Sequence, residues 1–389
     1  MNKFIVILSM AIFLLAGVFS CDGRSPESDS GINDGGDTEC SASETRCYGG
    51  SYQICVDGKW TLEETCNAPQ LCVEGLGCAD CNPAHARICQ DENAHACNSD
   101  GSIGDLVEDC GEALCWGGLC LEPGCSKEAQ LIYLVDWDGR WYSFNPLHGA
   151  NEVQLIRTPD CAPGDPWPEF DIFLATMAMN REDQAWVHYS SGEIFLTEPT
   201  SSADCSLSAW VPGHESFDVF LLTFARNGPE STEETLFLMG GLYGEIGNSG
   251  FGELAAVDPD TLDVTLLGPN PHDSILPELT TTADGKLYAY YPGTLSHFVT
   301  ELDKTDGSFV PNRRWDMEPF TNHVYASAFA AWGGKFYLFV SEEGVGGDNH
   351  IMLCLDPEDG SVETVIPSQP LGTIIAASTS TCTLMETPQ

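Results

Sequence analysis

Twelve of the eighteen cysteines fall in two consecutive sets of six, and this pattern restricts what residues 40–120 can become. The first set is Cys40, Cys47, Cys55, Cys66, Cys72 and Cys78; the second is Cys81, Cys89, Cys97, Cys110, Cys115 and Cys120. The gaps of 6, 7, 10, 5 and 5 residues in one set run parallel to 7, 7, 12, 4 and 4 in the other, which marks a duplication. Each module, 40–78 and 81–120, is too short and too poor in large apolar residues to hold together by a core alone. Zinc sites usually show repeated C-x2-C pairs; only Cys78-Ala-Asp-Cys81 has that spacing, and it straddles the joint between the sets. The expectation is therefore no metal, three disulfides per module and an oxidising compartment. Six cysteines admit many connectivities, and spacing does not choose among them. Such modules serve as recognition units or as rigid spacers, and the spacer is the plainer role.

The amino terminus points to the same compartment. Lys3 precedes an apolar run from Phe4 to Leu15, the form of an exported leader over residues 1–20. It ends at Val18-Phe19-Ser20-Cys21, which resembles the bacterial lipobox, with Phe19 standing where a small residue is usual. Cys21 is the expected lipidation site and first mature residue, and several acyl chains would anchor the protein stably to a membrane. Residues 21–39 are acidic and Gly-rich and lack the apolar surface to fold, so they read as a disordered tether reaching roughly 20–25 Å. The expected location is the cell envelope, at the outer membrane or cell surface.

Charge narrows the partners. The chain holds 59 acids against 15 bases, a formal net charge of −44, spread along its length. Such a surface repels nucleic acid and anionic ligands and leaves cations and basic proteins less disfavoured.

A second, longer repeat occupies residues 125–389. Segments 131–146, 185–199, 235–259, 286–304 and 335–357 each pair two β-rich runs and end near a turn at Pro146, Pro199, Pro259, Lys304 or Pro357. These turns are 53, 60, 45 and 53 residues apart, and a further β-rich run follows each. Four strands per unit with Gly-rich turns is the pattern of a β-propeller, and five units imply five blades. The repeats start at a second strand and finish on an extra first strand, 373–380, so the carboxy terminus should complete the first blade. Cys125 and Cys382 flank those two strands and are expected to pair, locking the ring. Cys161 and Cys205 form the other expected pair, and Cys354 is expected as a buried thiol outside these pairings.

The whole layout is similar to uncharacterised surface lipoproteins of the myxobacterial type. The similarity rests on Cys21, the C-x7-C modules, EIFLTEPTSSADC (193–205), FAAWGGKFYLF (329–339) and STSTC (378–382). It implies an anchored, cysteine-rich protein with a propeller-like domain, and it implies no chemistry.

In a propeller the loops leading into the innermost strands open on one face. Alignment of the units places Asp171, Asp218, Asp273 and Asn322 at one position just before those strands. This ring could take a cation such as calcium, or a polyol; equally, each side chain could cap its own turn. Trp137 and Trp167 could add sugar-stacking surfaces. Asp136-Trp-Asp138-Gly139 resembles the start of a calcium loop without its later acids. No nucleophile elbow, H-E-x-x-H, P-loop or dinucleotide fingerprint occurs. The expected function is therefore binding of a surface glycan or protein without a cofactor or evident catalysis. The alternative is a glycoside-active enzyme using the same acids. Metabolic labelling with palmitate should mark the wild-type protein and not the Cys21→Ser variant; label retained by the variant would remove the lipid anchor from this account.

Overall fold

The computed structural model describes residues 40–48, 50–147, 152–161, 163–164, 172–202, 204–242, 252–272, 276–293, 296–320, 322–343, 349–365, 367 and 370–386. These residues are nearly all β; the sole helical turn among them is Glu128–Gln130. No helix among them is long and apolar enough to cross a membrane. The leader, Cys21 and the acidic tether lie outside the described residues.

The two cysteine modules share one connectivity. In each, the first cysteine bonds the third, the second the fifth and the fourth the sixth: Cys40–Cys55, Cys47–Cys72 and Cys66–Cys78, then Cys81–Cys97, Cys89–Cys115 and Cys110–Cys120. Each module is a three-stranded antiparallel sheet followed by a short hairpin. Local chemistry directs this: Asp57-Gly58, at φ 54° and 76°, supplies the two left-handed residues of the tight turn between Ser51–Val56 and Lys59–Thr65. With so little apolar surface, the sulfurs form much of the interior, and Cys55, Cys81, Cys110 and Cys115 are all buried. The modules are joined closely. The backbone of Gly101 accepts N–H groups of Asp80 and Cys81, and a Cβ there would sit 2.5 Å from Ala79 Cβ.

Residues 132–378 form five four-stranded antiparallel sheets of a propeller-type fold. Their inner strands are Leu174–Met179, Val219–Arg226, Glu278–Thr281, Val324–Trp332 and Ile374–Ser378, and each packs beside the next in a closed cycle. One apolar cluster fills each gap between neighbouring sheets. Tyr133 and Trp141 of the first sheet meet Met177 and Val187 of the second, and Ile132 and Phe144 of the first meet Tyr337 and Phe339 of the fifth. Trp186 meets Phe220, Phe237 meets Leu287, and Tyr288 meets Phe336 across the remaining gaps. Both faces of every sheet are thereby covered, so the strands read as near-continuous apolar runs rather than strict alternation.

The carboxy-terminal strand Ile374–Ser378 pairs with Ile132–Asp136, giving the first sheet its inner strand from the far end of the chain. Buried Gln130 stitches this closure: its Nε2 donates to Cys382 O at 2.9 Å, its Oε1 accepts Leu384 N–H at 3.0 Å, and its carbonyl accepts Trp332 Nε1–H at 2.7 Å. Cys125 and Cys382 are bonded beside it, and Cys161 bonds Cys205. Cys354 departs from expectation. It is fully buried on the third strand of the fifth sheet, but no cysteine among the described residues carries a free thiol.

The second module is held against the face where the inner strands end. Trp116 packs edge-on to Trp332 with ring centroids 6.1 Å apart. Glu122 receives Arg181 at 3.0 Å and also Arg226, while Lys127 pairs with Glu92 of the module at 2.9 Å. The opposite face, where the inner strands begin, is left open by this docking. Replacing both Cys125 and Cys382 with alanine is expected to lower unfolding free energy by about 5 kcal/mol, since the bridge spans 257 residues. Urea unfolding measures this, and non-reducing peptide mapping should recover the two sulfurs in one linked fragment. Recovery of either sulfur in another bridge would contradict the closure.

Candidate functional site

On the open face, a cavity of about 230 Å³ lies among the beginnings of the inner strands. Its walls come from four sheets. Trp137 stands on the hairpin joining the second and third strands of the first sheet, and Phe173 precedes the inner strand of the second. Glu278 opens the inner strand of the fourth, and Tyr325 and Ser327 belong to that of the fifth.

Asp136 fixes the Trp137 hairpin. Its Oδ1 accepts the backbone N–H groups of Asp138 and Arg140 at 3.0 and 2.9 Å. Its Oδ2 accepts Arg140 Nε–H at 2.7 Å and Tyr142 O–H at 2.9 Å. Both oxygens are thus engaged by protein donors, so the segment resembling a calcium loop is a braced turn instead. Trp137 N–H donates to Thr373 O at 2.9 Å, tying the hairpin to the closing strand. The Trp137 ring then stacks on Phe173 at 5.3 Å and 17°. Phe173 is itself held by reciprocal bonds with Ser190, its N–H to Oγ at 3.1 Å and its carbonyl from N–H at 2.9 Å. Tyr325 completes the wall, its hydroxyl 3.2 Å from Thr373 Oγ1. Trp137, Phe173 and Tyr325 remain 55, 40 and 37% exposed, so three braced aromatic rings stand in solvent at one mouth rather than in the core.

Beneath them sits Glu278, half-buried, with Ser327 Oγ–H donating to its Oε1 at 3.2 Å. Burial pushes its carboxyl up to about 8, against the opposing pull of the Ser327 bond. At neutral pH the group is therefore mostly protonated and can donate a hydrogen bond or, by losing its proton, balance a cation. Deeper in the ring several polar side chains are already committed. Thr280 Oγ1 accepts Ala331 N–H, Ser378 Oγ accepts Met179 N–H, and Thr281 and Thr379 donate to the carbonyls of Phe224 and Ala331.

A larger cavity, about 530 Å³, lies between the fifth sheet and the segment leading to the closing strand, lined by residues such as Phe339, Met352 and Leu371. There Ser341 pairs with His350 at 2.9 Å, and Asn349 donates to Glu342 at 3.0 Å. Those polar groups serve the fold, which makes the smaller cavity the better candidate.

Of the four aligned polar residues, Asp218 stands directly before the inner strand of the third sheet and Asn322 two residues before that of the fifth. Neither lines the cavity; the Asp218 N–H donates to Gly241 O, and the Asn322 N–H to Glu342 Oε2 at 3.3 Å. Asp171, Asp273 and Trp167 lie outside the described residues. No group of three or more His, Cys, Asp or Glu gathers for a metal ion among the described residues. Glu278, Ser327, Phe173 and Tyr325 did not emerge from the repeat alignment.

No family model matches the sequence, and neither does any curated protein. Among solved structures, the chain is similar to YjhT at 17% identity and a TM-score of 0.35, over 52% of this chain and 67% of that one. It is similar to a chain of the nidogen/laminin complex at 12% identity and a TM-score of 0.34, over 76% and 97%. It is also similar to YCF48 bound to D1 peptide at 11% identity and a TM-score of 0.31, over 64% and 72%. Likenesses this distant carry no functional inference.

Glu278 makes a signed prediction. Its folded value lies above the ordinary 4.5, so its neutral form is stabilising below pH 4.5 and that contribution is lost as pH rises through about 8. Glu278→Gln should match the wild type in urea unfolding near pH 4.5 and exceed it by about 4 kcal/mol near pH 9. A difference that does not grow with pH would show that the carboxyl is not desolvated.

Proposed function

We propose that this is a lipid-anchored binding protein of a bacterial cell surface, a five-bladed propeller carried on two disulfide modules, with its ligand at the open mouth of the ring. The observation that carries the reading is the cavity walled by Trp137, Phe173 and Tyr325 over Glu278, on the face away from the docked module. Exposed aromatic rings braced by hydrogen bonds cost solubility without adding to the core, and such clusters mark contact sites. The anchor rests on the lipobox ending at Cys21 and on the acidic tether through residue 39. The eight disulfides between described cysteines support an extracytoplasmic location. Of the aligned polar residues, the described Asp218 and Asn322 would then stand near the rim, each before its inner strand.

Glycoside hydrolysis would need two carboxyls facing each other across a sugar, about 5–9.5 Å apart depending on mechanism. The described lining of the cavity supplies one, Glu278. This favours binding over catalysis. The partner is a surface glycan or a protein, and the charge of −44 speaks against nucleic acid.

The test is a screen of the Cys21→Ser protein against glycan and protein arrays, with a parallel hydrolysis screen. Trp137→Ala is expected to weaken any binding found by tenfold or more while leaving the unfolding transition within about 0.5 kcal/mol of wild type, as befits an exposed side chain. Turnover of a glycoside that Glu278→Gln abolishes would favour the enzyme instead.

A further inference from the structure

The chemistry of the cavity selects among ligands. Its described lining combines apolar walls with polar groups, among them Glu278, Ser327, the Trp137 indole N–H and the Tyr325 hydroxyl, and the last already sits against Thr373. A pyranose carries several hydroxyls, and each one buried against Leu174, Ala175, Val324 or Ile375 without a partner would cost about 1–3 kcal/mol. An alkyl stem, by contrast, is matched by those walls. At the floor, Glu278 has Ser327 as its one hydrogen-bond partner among the described residues, and no cation pairs with it there. Its remaining lone pairs are unspent. Above it the exposed Tyr325 ring and the face of Trp137 turned away from Phe173 can meet a cation. The surrounding protein carries a net charge of −44, which draws basic chains and repels acidic ones.

Resting on the binding role proposed above, we propose that this cavity takes a lysine-type alkylammonium side chain of a basic polypeptide, with Glu278 as its counter-ion and the aromatic rings as its walls. The apolar stem lies along Ala175, Val324 and Ile375, and the ammonium reaches the carboxyl. No bond is made or broken beyond one O–H: the ammonium keeps its protons, and Glu278 releases its own to solvent as the pair forms. Proton release at neutral pH follows from the neutral state of Glu278 in the empty cavity. Among the described residues the titratable groups facing it are Tyr290 across its own sheet and Tyr325 on the fifth sheet. Tyr290 is pushed well above the tyrosine range by burial and by Glu278 itself, so it stays neutral throughout.

The experiment is isothermal titration of the Cys21→Ser protein with N-acetyl-lysine methylamide, with methyl β-glucoside as the neutral comparison. The lysine probe should bind with an affinity that rises about tenfold per pH unit from pH 6 to 7.5 and levels above pH 8. Its heat at pH 6.5 should vary with buffer ionisation enthalpy, reporting one proton released. Glu278→Gln should bind at least tenfold more weakly and with no pH dependence, its fold verified by the unfolding transition. Glucoside binding that Trp137→Ala abolishes, without lysine binding, would overturn the ammonium assignment and leave the mouth as a ligand site. Lysine binding unaltered in Glu278→Gln would overturn it too, because the attraction would then belong to the general surface. If neither probe binds and Trp137→Ala changes no interaction found on the arrays, both the assignment and the binding role fall.

Discussion

The pairing of Ile374–Ser378 with Ile132–Asp136 is the constraint on which the rest of the molecule depends. A row of sheets has two ends, each exposing an unpaired apolar face and an unsatisfied strand edge. Supplying the first sheet's inner strand from the last residues of the chain removes both ends at once. Gln130 makes the joint specific, because its amide and carbonyl reach Cys382, Leu384 and Trp332 together. The Cys125–Cys382 bridge then keeps the two termini of the domain from separating in the unfolded chain. Docking of the cysteine modules uses the same locus: Leu121, Cys125, Ala129 and Cys382 form one small apolar cluster, and Trp116 leans on it.

Closure imposes a second problem, which the inner strands solve with hydroxyls. Inner strands of adjacent sheets do not share a backbone ladder. Their inward N–H and C=O groups would be left unpaired in a narrow space, each at a cost comparable to a lost hydrogen bond. Thr280, Thr281, Ser378, Thr379 and Ser380 place side-chain oxygens against the neighbouring strand's backbone instead. The interior of the ring is therefore polar in composition but has little left to offer a ligand. Glu278 differs because its strand begins at the mouth, where the next strand offers Ser327 and nothing cationic.

The modules and the strand repeat were legible in the sequence because both are local: a cysteine gap or an Asp-Gly turn acts within a few residues. Closure was legible too, since a repeat that starts on its second strand must find its first strand elsewhere. The cavity was not. Trp137, Phe173, Glu278 and Tyr325 stand on four different sheets, and no spacing along the chain relates them. Alignment drew attention instead to what recurs, Asp171, Asp218, Asp273 and Asn322; of the two described, the Asp218 N–H donates to Gly241 O and the Asn322 N–H to Glu342 Oε2. A site unique to one mouth is by nature the part of a repeat protein that does not repeat. Asp136, at the start of a calcium-loop-like run without the later acids, has its oxygens taken by protein donors, among them Tyr142 six residues on. Cys354 alternates correctly as a buried residue, but alternation reports burial and is silent on bonding.

The two faces of the ring divide labour through charge and solvent access. On the docked face, Glu122 and Glu234 meet Arg181, Arg226 and Thr381, so most charges there are spent on structure. On the open face, one carboxyl is held in a poorly solvated place with a single hydroxyl partner, an arrangement that weakens the fold as pH rises. A glutamine would satisfy Ser327 equally well without that cost. A carboxyl whose ionisation lowers stability is a candidate for contact with a ligand, since perturbed groups cluster at functional sites. The aromatic rings above it make the same case independently. Their braces run to Thr373 and Ser190, so the fold spends hydrogen bonds to hold apolar surface out in water. The occupant proposed above, covering those rings and engaging the carboxyl together, would reconcile both features.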